Sequence, residues 1–252
     1  MTALGLPGFH GKLPSLGDFV TRALPRAFVE PWDGWLQRAI ACSRQQLGEH
    51  WLKIYLESPM WRFVLSPQVC GSSAWAGVVM PSVDRVGRYF PLTLAAPLAA
   101  GAALVSVAQQ ATAWFDKAEE LMQAVLEEEA CDPETLVARA MTLGPLPELN
   151  LSHEEAYGAA PIGACRVALP MVNGVAAVMP GLLGQLLVRQ WGPYSLWWSS
   201  GSELIEPSLL ICSGLPPAEG YAAMLAGEWR RWSWQDWAVP LTAASDGGEA
   251  RS

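Results

Sequence analysis

Apolar and polar positions along the chain of 252 residues alternate between short compact runs and longer periodic stripes. Residues 73–80, Ser-Ala-Trp-Ala-Gly-Val-Val-Met, and residues 92–96, Leu-Thr-Leu-Ala-Ala, are apolar runs bounded by Pro and Gly. Runs of that kind read as buried strands. Residues 9–13 and 61–65 predict two further strands. The three strands over 61–96 lie close in sequence with no long crossover between them, which favours antiparallel pairing.

Helical stripes lie between and after these runs. Phe28, Trp32, Trp35, Leu36, Ala39 and Ile40 recur at three- and four-residue spacing, and the pattern runs on to Leu47 with Gly48 as its stop. Pro31 lies inside the pattern and predicts a helix start close to it. Residues 51–56 predict a short helix ended by Ser58-Pro59. Leu104, Val107, Ala111, Trp114, Phe115, Ala118, Leu121, Met122 and Val125 form one stripe, which predicts a single helix over 102–126. Another helix follows to Met141, with Pro133 in its first turn. Residues 143–161 are rich in Pro, Gly, Asn and Ser and read as a surface connector. Beyond it, strands are expected at 164–169, 195–199 and 209–213, with helices at 181–191 and near 218–229. The predicted organisation is an α+β chain with an N-terminal lobe over 1–145, a C-terminal α/β lobe over 146–240 packed on it, and a flexible tail over 241–252. No internal repeat is visible.

Composition narrows the function classes. The chain is 51% hydrophobic and only 16% charged, against about 25% charged in ordinary soluble domains. Thirteen Trp point first to an aromatic core, with an exposed apolar contact surface as the other use for them. A net charge of −8 disfavours a nucleic-acid partner, which needs a basic face. Cys42, Cys70, Cys131, Cys165 and Cys212 are odd in number and form no Cys-x-x-Cys pair, so they read as reduced thiols of a cytoplasmic protein. The first residues lack the basic start and apolar run of a signal peptide. The uncharged stretches 90–115 and 167–188 carry too many Pro, Gly, Asn and Gln to be membrane spans, so no direct membrane insertion is expected.

Charge is concentrated in one conspicuous place. Pro81-Ser-Val-Asp-Arg-Val-Gly-Arg-Tyr-Phe-Pro91 sits between two predicted core strands, and is expected to expose Asp84, Arg85 and Arg88 at one edge of the sheet. In one reading, Asp84 pairs with Arg85 or Arg88, or caps a turn, while Gly87 permits a tight bend. In the other, the same charges rim an apolar contact surface.

Enzymatic signatures are weak. No Gly-x-Ser-x-Gly elbow occurs, and a His-based mechanism has only His10, His50 and His153 to draw on. His153-Glu154-Glu155 lacks metal-ligand spacing. Gly8-Phe-His-Gly-Lys12 fails as a phosphate loop, because Leu6 stands where the first Gly is needed and Leu13 where Ser or Thr is needed. No cofactor or metal site is expected.

Several motifs carry a family resemblance. Gly11-Lys-Leu-Pro-Ser-Leu-Gly-Asp-Phe19, Trp32-Asp-Gly-Trp-Leu36, Ser58-Pro-Met-Trp-Arg-Phe63, Trp75-Ala-Gly77 and Pro81-Ser-Val-Asp-Arg-Val-Gly-Arg-Tyr-Phe-Pro-Leu92 resemble, in order, those of the TagF family associated with bacterial type VI secretion. Ser195-Leu-Trp-Trp-Ser-Ser-Gly201 resembles a later element of that family, with Ser199 where Thr is commoner. The resemblance implies a cytoplasmic, non-catalytic protein that represses the secretion apparatus after translation by binding an Fha-type forkhead-associated scaffold component. It also implies a longin-like or profilin-like layered sandwich, a mostly antiparallel sheet with helices on both faces. Asp84, Arg85, Arg88, Lys12 and Asp18, all within the shared motifs, are the candidate interaction residues. Two alternatives stand beside this reading: a hydrolase-like enzyme with an unrecognised site, using His10 near Asp18, and a longin-like module that binds a small GTPase, the latter by analogy of fold.

Overall fold

The computed structural model describes residues 5–128, 131–147, 166, 167, 169, 171, 172 and 174–239. Its centre is a seven-stranded sheet in the order β2-β1-β5-β4-β3-β6-β7, and every pairing is antiparallel. In chain order the strands are β1 (Gly8–Lys12), β2 (Phe19–Arg22), β3 (Trp61–Leu65), β4 (Trp75–Met80), β5 (Leu92–Pro97), β6 (Tyr194–Ser199) and β7 (Ser208–Ser213). The helices are α1 (Arg26–Leu47), α2 (Trp51–Glu57), α3 (Leu104–Gln110), α4 (Thr112–Glu127), α5 (Pro133–Met141), α6 (Gly174–Trp191) and α7 (Tyr221–Ala226). Strands β6 and β7, which follow the connector, continue the sheet beyond β3. The expected α+β sandwich with helices on both faces is the observed architecture.

Side chains alternate across the sheet and feed two cores. Trp61, Phe63, Leu65, Trp75, Val79, Ala95, Trp197 and Leu210 face α1, α2 and α7. Val64, Ala76, Val78, Met80, Leu92, Leu94, Ala96 and Leu196 face α3, α4 and α5, with Leu187 of α6. Both faces of β3, β4 and β5 are therefore largely apolar, which explains why β4 and β5 read as continuous apolar runs rather than as alternating ones. Arg62 is the exception on the second face. Glu119 and Asp116 of α4 accept from its guanidinium at 2.6 to 2.8 Å, so its charge is matched where it enters the layer.

Trp32 is the centre of the first core. Its ring lies 4.7 Å from Phe63, 5.0 Å from Trp35 and 5.7 Å from Trp197, and its indole N–H donates to Thr93 Oγ1 of β5 at 2.9 Å. Trp32, Trp35, Trp51, Trp61, Trp75, Trp114 and Trp197 are buried, and Trp191, Trp198, Trp229 and Trp234 pack against the cores. The aromatic-core expectation holds for these, whereas Trp237 is 72% exposed. The Trp-rich segment over 229–237, which carries Trp229, Trp232, Trp234 and Trp237, is thus divided between core and surface.

Local expectations fail where tertiary packing overrides periodicity. The first helix starts at Arg26, and Pro31 lies inside it. The stripe over 102–126 is two helices meeting at Ala111, a junction that no Gly or Pro marks. Strand β2 was not expected, because only Val20 of its four residues is buried and an edge strand leaves little pattern. Helix α6 begins at Gly174 and carries Pro180 inside it, earlier than the expected start at 181. The helix near 218–229 is a 3-10 turn followed by α7, which stops at Gly227. The strand expected at 164–169 and the connector at 143–161 fall largely outside the described residues, and the tail at 241–252 does so entirely.

Replacing Thr93 by Val leaves the buried Trp32 N–H without its acceptor, and is expected to cost about 1–3 kcal/mol in urea denaturation. Adding Trp32→Phe should cost less than it does alone, because the orphaned donor is then gone. Strict additivity of the two single losses would show that the bond does not couple them.

Candidate functional site: a charged loop strapped to the first hairpin

The loop over 81–91 joins β4 to β5, as its flanking apolar runs require, but it does not stand free. It folds back on itself, with Asp84 N–H donating to Arg88 O, Gly87 N–H to Asp84 O and Phe90 N–H to Ser82 O at 2.9 to 3.1 Å. Gly87 takes φ +83°, a left-handed conformation that favours glycine. Arg85 N–H donates at 2.9 Å to Leu16 O, in the connection between β1 and β2. Ser82 Oγ donates to Lys12 O at 2.8 Å, and the Tyr55 hydroxyl of α2 donates to Ser82 O at 3.1 Å. Gly11 completes the fit. With φ +139°, it brings β1 so near β5 that a Cβ there would lie 2.1 Å from Pro91 O.

The expectation that the loop exposes Asp84 is corrected by the structure. Its side chain is fully buried, and it accepts from the Lys12 ammonium, itself 4% exposed at the side chain. The carboxylate also accepts from the backbone N–H groups of Val86 at 3.1 Å and Arg88 at 2.8 Å, and from Arg88 Nε at 2.8 Å. Burial alone would raise the Asp84 pKa. The Lys12 hydrogen bond, the Arg88 backbone and side-chain hydrogen bonds and the attraction of the Lys12 charge outweigh it, holding the carboxyl well below the usual range. This pair is a clamp, and it leaves the sheet edge to other groups.

Four side chains emerge around it. Arg85 and Arg88 are exposed, Val86 is 63% exposed, and Phe19 of β2 is 50% exposed. Phe19 rests edge-on against Phe90 at 4.7 Å, and the Lys12 ammonium lies 5.0 Å from the centre of its ring. Asp18 is almost fully exposed and lies 3.8 Å from the Arg88 guanidinium. The structure therefore brings Lys12, Asp18, Asp84 and Arg88 together, with Arg85 on the same loop. Phe19 and Val86 were not singled out from sequence, although Phe19 closes the first motif and Val86 is the one apolar residue between the loop's two Arg.

His10 is not paired with Asp18. Its Nδ1 meets Thr21 Oγ1 at 2.7 Å and its Nε2 meets Asp33 Oδ1 of α1 at 3.2 Å, so a buried ring ties the first hairpin to that helix. Two surface hollows, of about 430 and 570 Å³, are lined by Trp35, Arg38, Cys42 and Leu215 and by Pro67, Ala74, Leu98 and Pro145. Neither is lined by His10, Asp18 or Asp84. Burial pushes the Cys70 and Cys212 thiols up to about 12, leaving both protonated at neutral pH. Among the described residues no group of three or more His, Cys, Asp or Glu is placed to hold a metal ion, and no helix is long and apolar enough to cross a membrane.

The model of one protein family, the TagF N-terminal domain, type VI secretion system-associated, matches residues 8–143. Among solved structures, the chain is similar to PA0076 from Pseudomonas aeruginosa PAO1, at 36% identity and a TM-score of 0.75, over 94% of this chain and 99% of that one. No curated protein matches.

Asp84→Asn leaves Lys12 buried without a counter-charge, and should destabilise the protein by about 3–5 kcal/mol in urea denaturation. Because the folded-state pKa of Asp84 lies below its unfolded value of about 3.9, the carboxylate contributes its full stabilisation above that pH and loses it as pH falls further. The wild type should therefore lose stability between about pH 5 and pH 2 more steeply than Asp84→Asn. Equal slopes would remove the clamp as the origin of acid sensitivity.

Proposed function

We propose that this chain, which belongs to the TagF family, is a non-catalytic, post-translational negative regulator of a bacterial type VI secretion system. In this reading it acts in the cytoplasm by binding an Fha-type forkhead-associated scaffold component, and its layered fold is of the longin-like or profilin-like kind. The observation that carries the binding mode is the presentation of Arg85, Val86 and Arg88, beside Phe19 of β2, on a loop fixed from beneath by Lys12, Asp84 and Ser82. Arginine and aromatic side chains around an apolar centre are the composition of an interface core, and a loop already held in one conformation loses little entropy on docking. Asp84 and Lys12 then hold the surface in place, and Arg85, Arg88 and Asp18 meet the partner.

Two further observations favour binding over catalysis. The ring of His10 is occupied on both nitrogens by groups that join elements of the fold, and the thiols of Cys70 and Cys212 are protonated and buried. Cys42, Cys70, Cys131 and Cys212 are free thiols, in keeping with a reducing compartment.

Arg85→Glu and Val86→Asp, both at exposed positions, should each weaken binding to the purified scaffold component at least about tenfold in calorimetric titration, with thermal stability unchanged. In cells, deleting the gene should raise secretion through the apparatus under resting conditions, and the two variants should fail to restore repression. Full repression by both variants with undiminished affinity would take the loop out of the interface. Unchanged secretion in the deletion strain would overturn the regulatory reading itself.

A further inference from the structure

Helix α6 is apolar on two opposite sides. Gly181, Gly184, Leu187, Val188 and Trp191 face inward, where Gly184 approaches Val105 of α3 and the Tyr194 hydroxyl of β6. Val175, Met179, Leu182, Leu183 and Leu186 follow at the spacing i, i+4, i+7, i+8, i+11, and form a second stripe that is 38 to 59% exposed. An amphipathic helix turns a polar face to water, whereas one that is apolar all round is covered on all sides. No charged residue occurs from 167 to 188. Met171 and Val172, which lead into the helix, are 104% and 73% exposed. Together these side chains leave on the order of 800 Å² uncovered, beyond the few hundred that monomers usually expose and close to what each partner in a standard-size complex covers.

The neighbouring edge of the sheet carries no further strand, although Trp229, Trp234, Asp236 and Trp237 line a hollow with Ser208, Leu209 and Leu210 at its start. β7 is the last strand, and among the described residues nothing pairs with its outer side. Its sequence, Ser-Leu-Leu-Ile-Cys-Ser, contains none of the charges or prolines that normally blunt an edge. The opposite edge differs: β2 has only four residues and carries Arg22, which pairs with Glu134 of α5 at 3.2 Å. On β7, Leu209 lies opposite Trp198, on the same side of the sheet as α6, and is 62% exposed. The end of β7 is tied to the end of α6, with Ser213 Oγ donating to Trp191 O at 3.0 Å.

We infer that α6 and β7 together form an interface with a second copy of this chain. A two-fold axis perpendicular to the sheet at the β7 edge pairs β7 antiparallel with its copy. The same axis keeps both α6 helices on one side of the extended sheet, so that their outer stripes meet. An open strand edge and an unpartnered apolar helix on the same face are what a self-complementary surface requires. The chain carries a net charge of −8, yet its sequence has no acidic residue from 167 to 188, so the two α6 stripes can meet without like-charge contact. The surface lies apart from the Arg85 and Arg88 loop, so dimer formation and scaffold binding are separable.

Sedimentation velocity of the full chain between about 1 and 100 µM should show a monomer–dimer equilibrium. Leu183→Glu combined with Leu186→Glu places charge on the outer stripe without entering the core, and should weaken the dimer by about 100-fold or more with an unchanged circular dichroism spectrum. Hydrogen exchange in the concentrated wild type should gain protection over 175–186 and 208–213 relative to the dilute protein. A wild type that stays monomeric at about 100 µM, or a dimer that survives the double substitution, overturns the inference. So does a dimer whose formation protects neither segment.

Discussion

A sheet that is apolar on both faces has to be covered twice, and most features of this protein follow from that constraint. Trp61, Phe63, Leu65, Trp75 and Val79 demand one helical layer, while Val64, Ala76, Val78, Met80 and Leu94 demand another. Helix α1 meets the first demand with Phe28, Trp32 and Trp35, and helix α4 meets the second with Trp114, Phe115 and Met122. Burial of so much of the chain explains its low charge content, because a charged side chain within either layer needs a partner, as Arg62 has in Glu119 and Asp116.

The same constraint gives the charged loop its meaning. Where the sheet ends, the chain must turn from β4 to β5 between two greasy layers, and it does so around a buried carboxylate. Asp84 satisfies two backbone N–H groups of its own loop and the Lys12 ammonium of the neighbouring hairpin. A buried pair of this kind is a weak source of net stability and a strong source of geometric definition, since breaking either half is costly. Arg85, Val86 and Arg88 are thereby displayed on a firm support. Helix α6 shows the opposite situation. Its inner stripe satisfies the sheet, and its outer stripe repeats the same demand toward solvent.

Parts of this arrangement were legible in the sequence because they depend on neighbours in the chain. β4 and β5 announce themselves as apolar runs, β3 by its alternation, the first helix by its aromatic stripe, and the loop by charge between two apolar runs. Where the outcome depends on distant residues, local pattern misled. Trp114 and Phe115 dock on the second face from a new helix although Gln110 and Ala111 carry no helix-breaking signal, and Pro180 sits within α6 although it reads as a boundary. Likewise, β2 is a strand because β1 pairs with it, with Val20 alone turned inward.

By itself, the sequence determined the class of fold, the strands of the central sheet other than β2, and the family motifs, because hydrophobic period and turn residues act over a few positions. Only the tertiary structure decided the fate of the charges. Lys12 and Asp84 are 72 residues apart in the chain, and nothing local reveals that they meet away from water while Arg85 and Arg88 remain outside. Nor could periodicity say which of the two apolar sides of α6 faces the protein. That choice rests on Val105, Tyr194 and the strands beneath, which exist as a surface only once the sheet has formed.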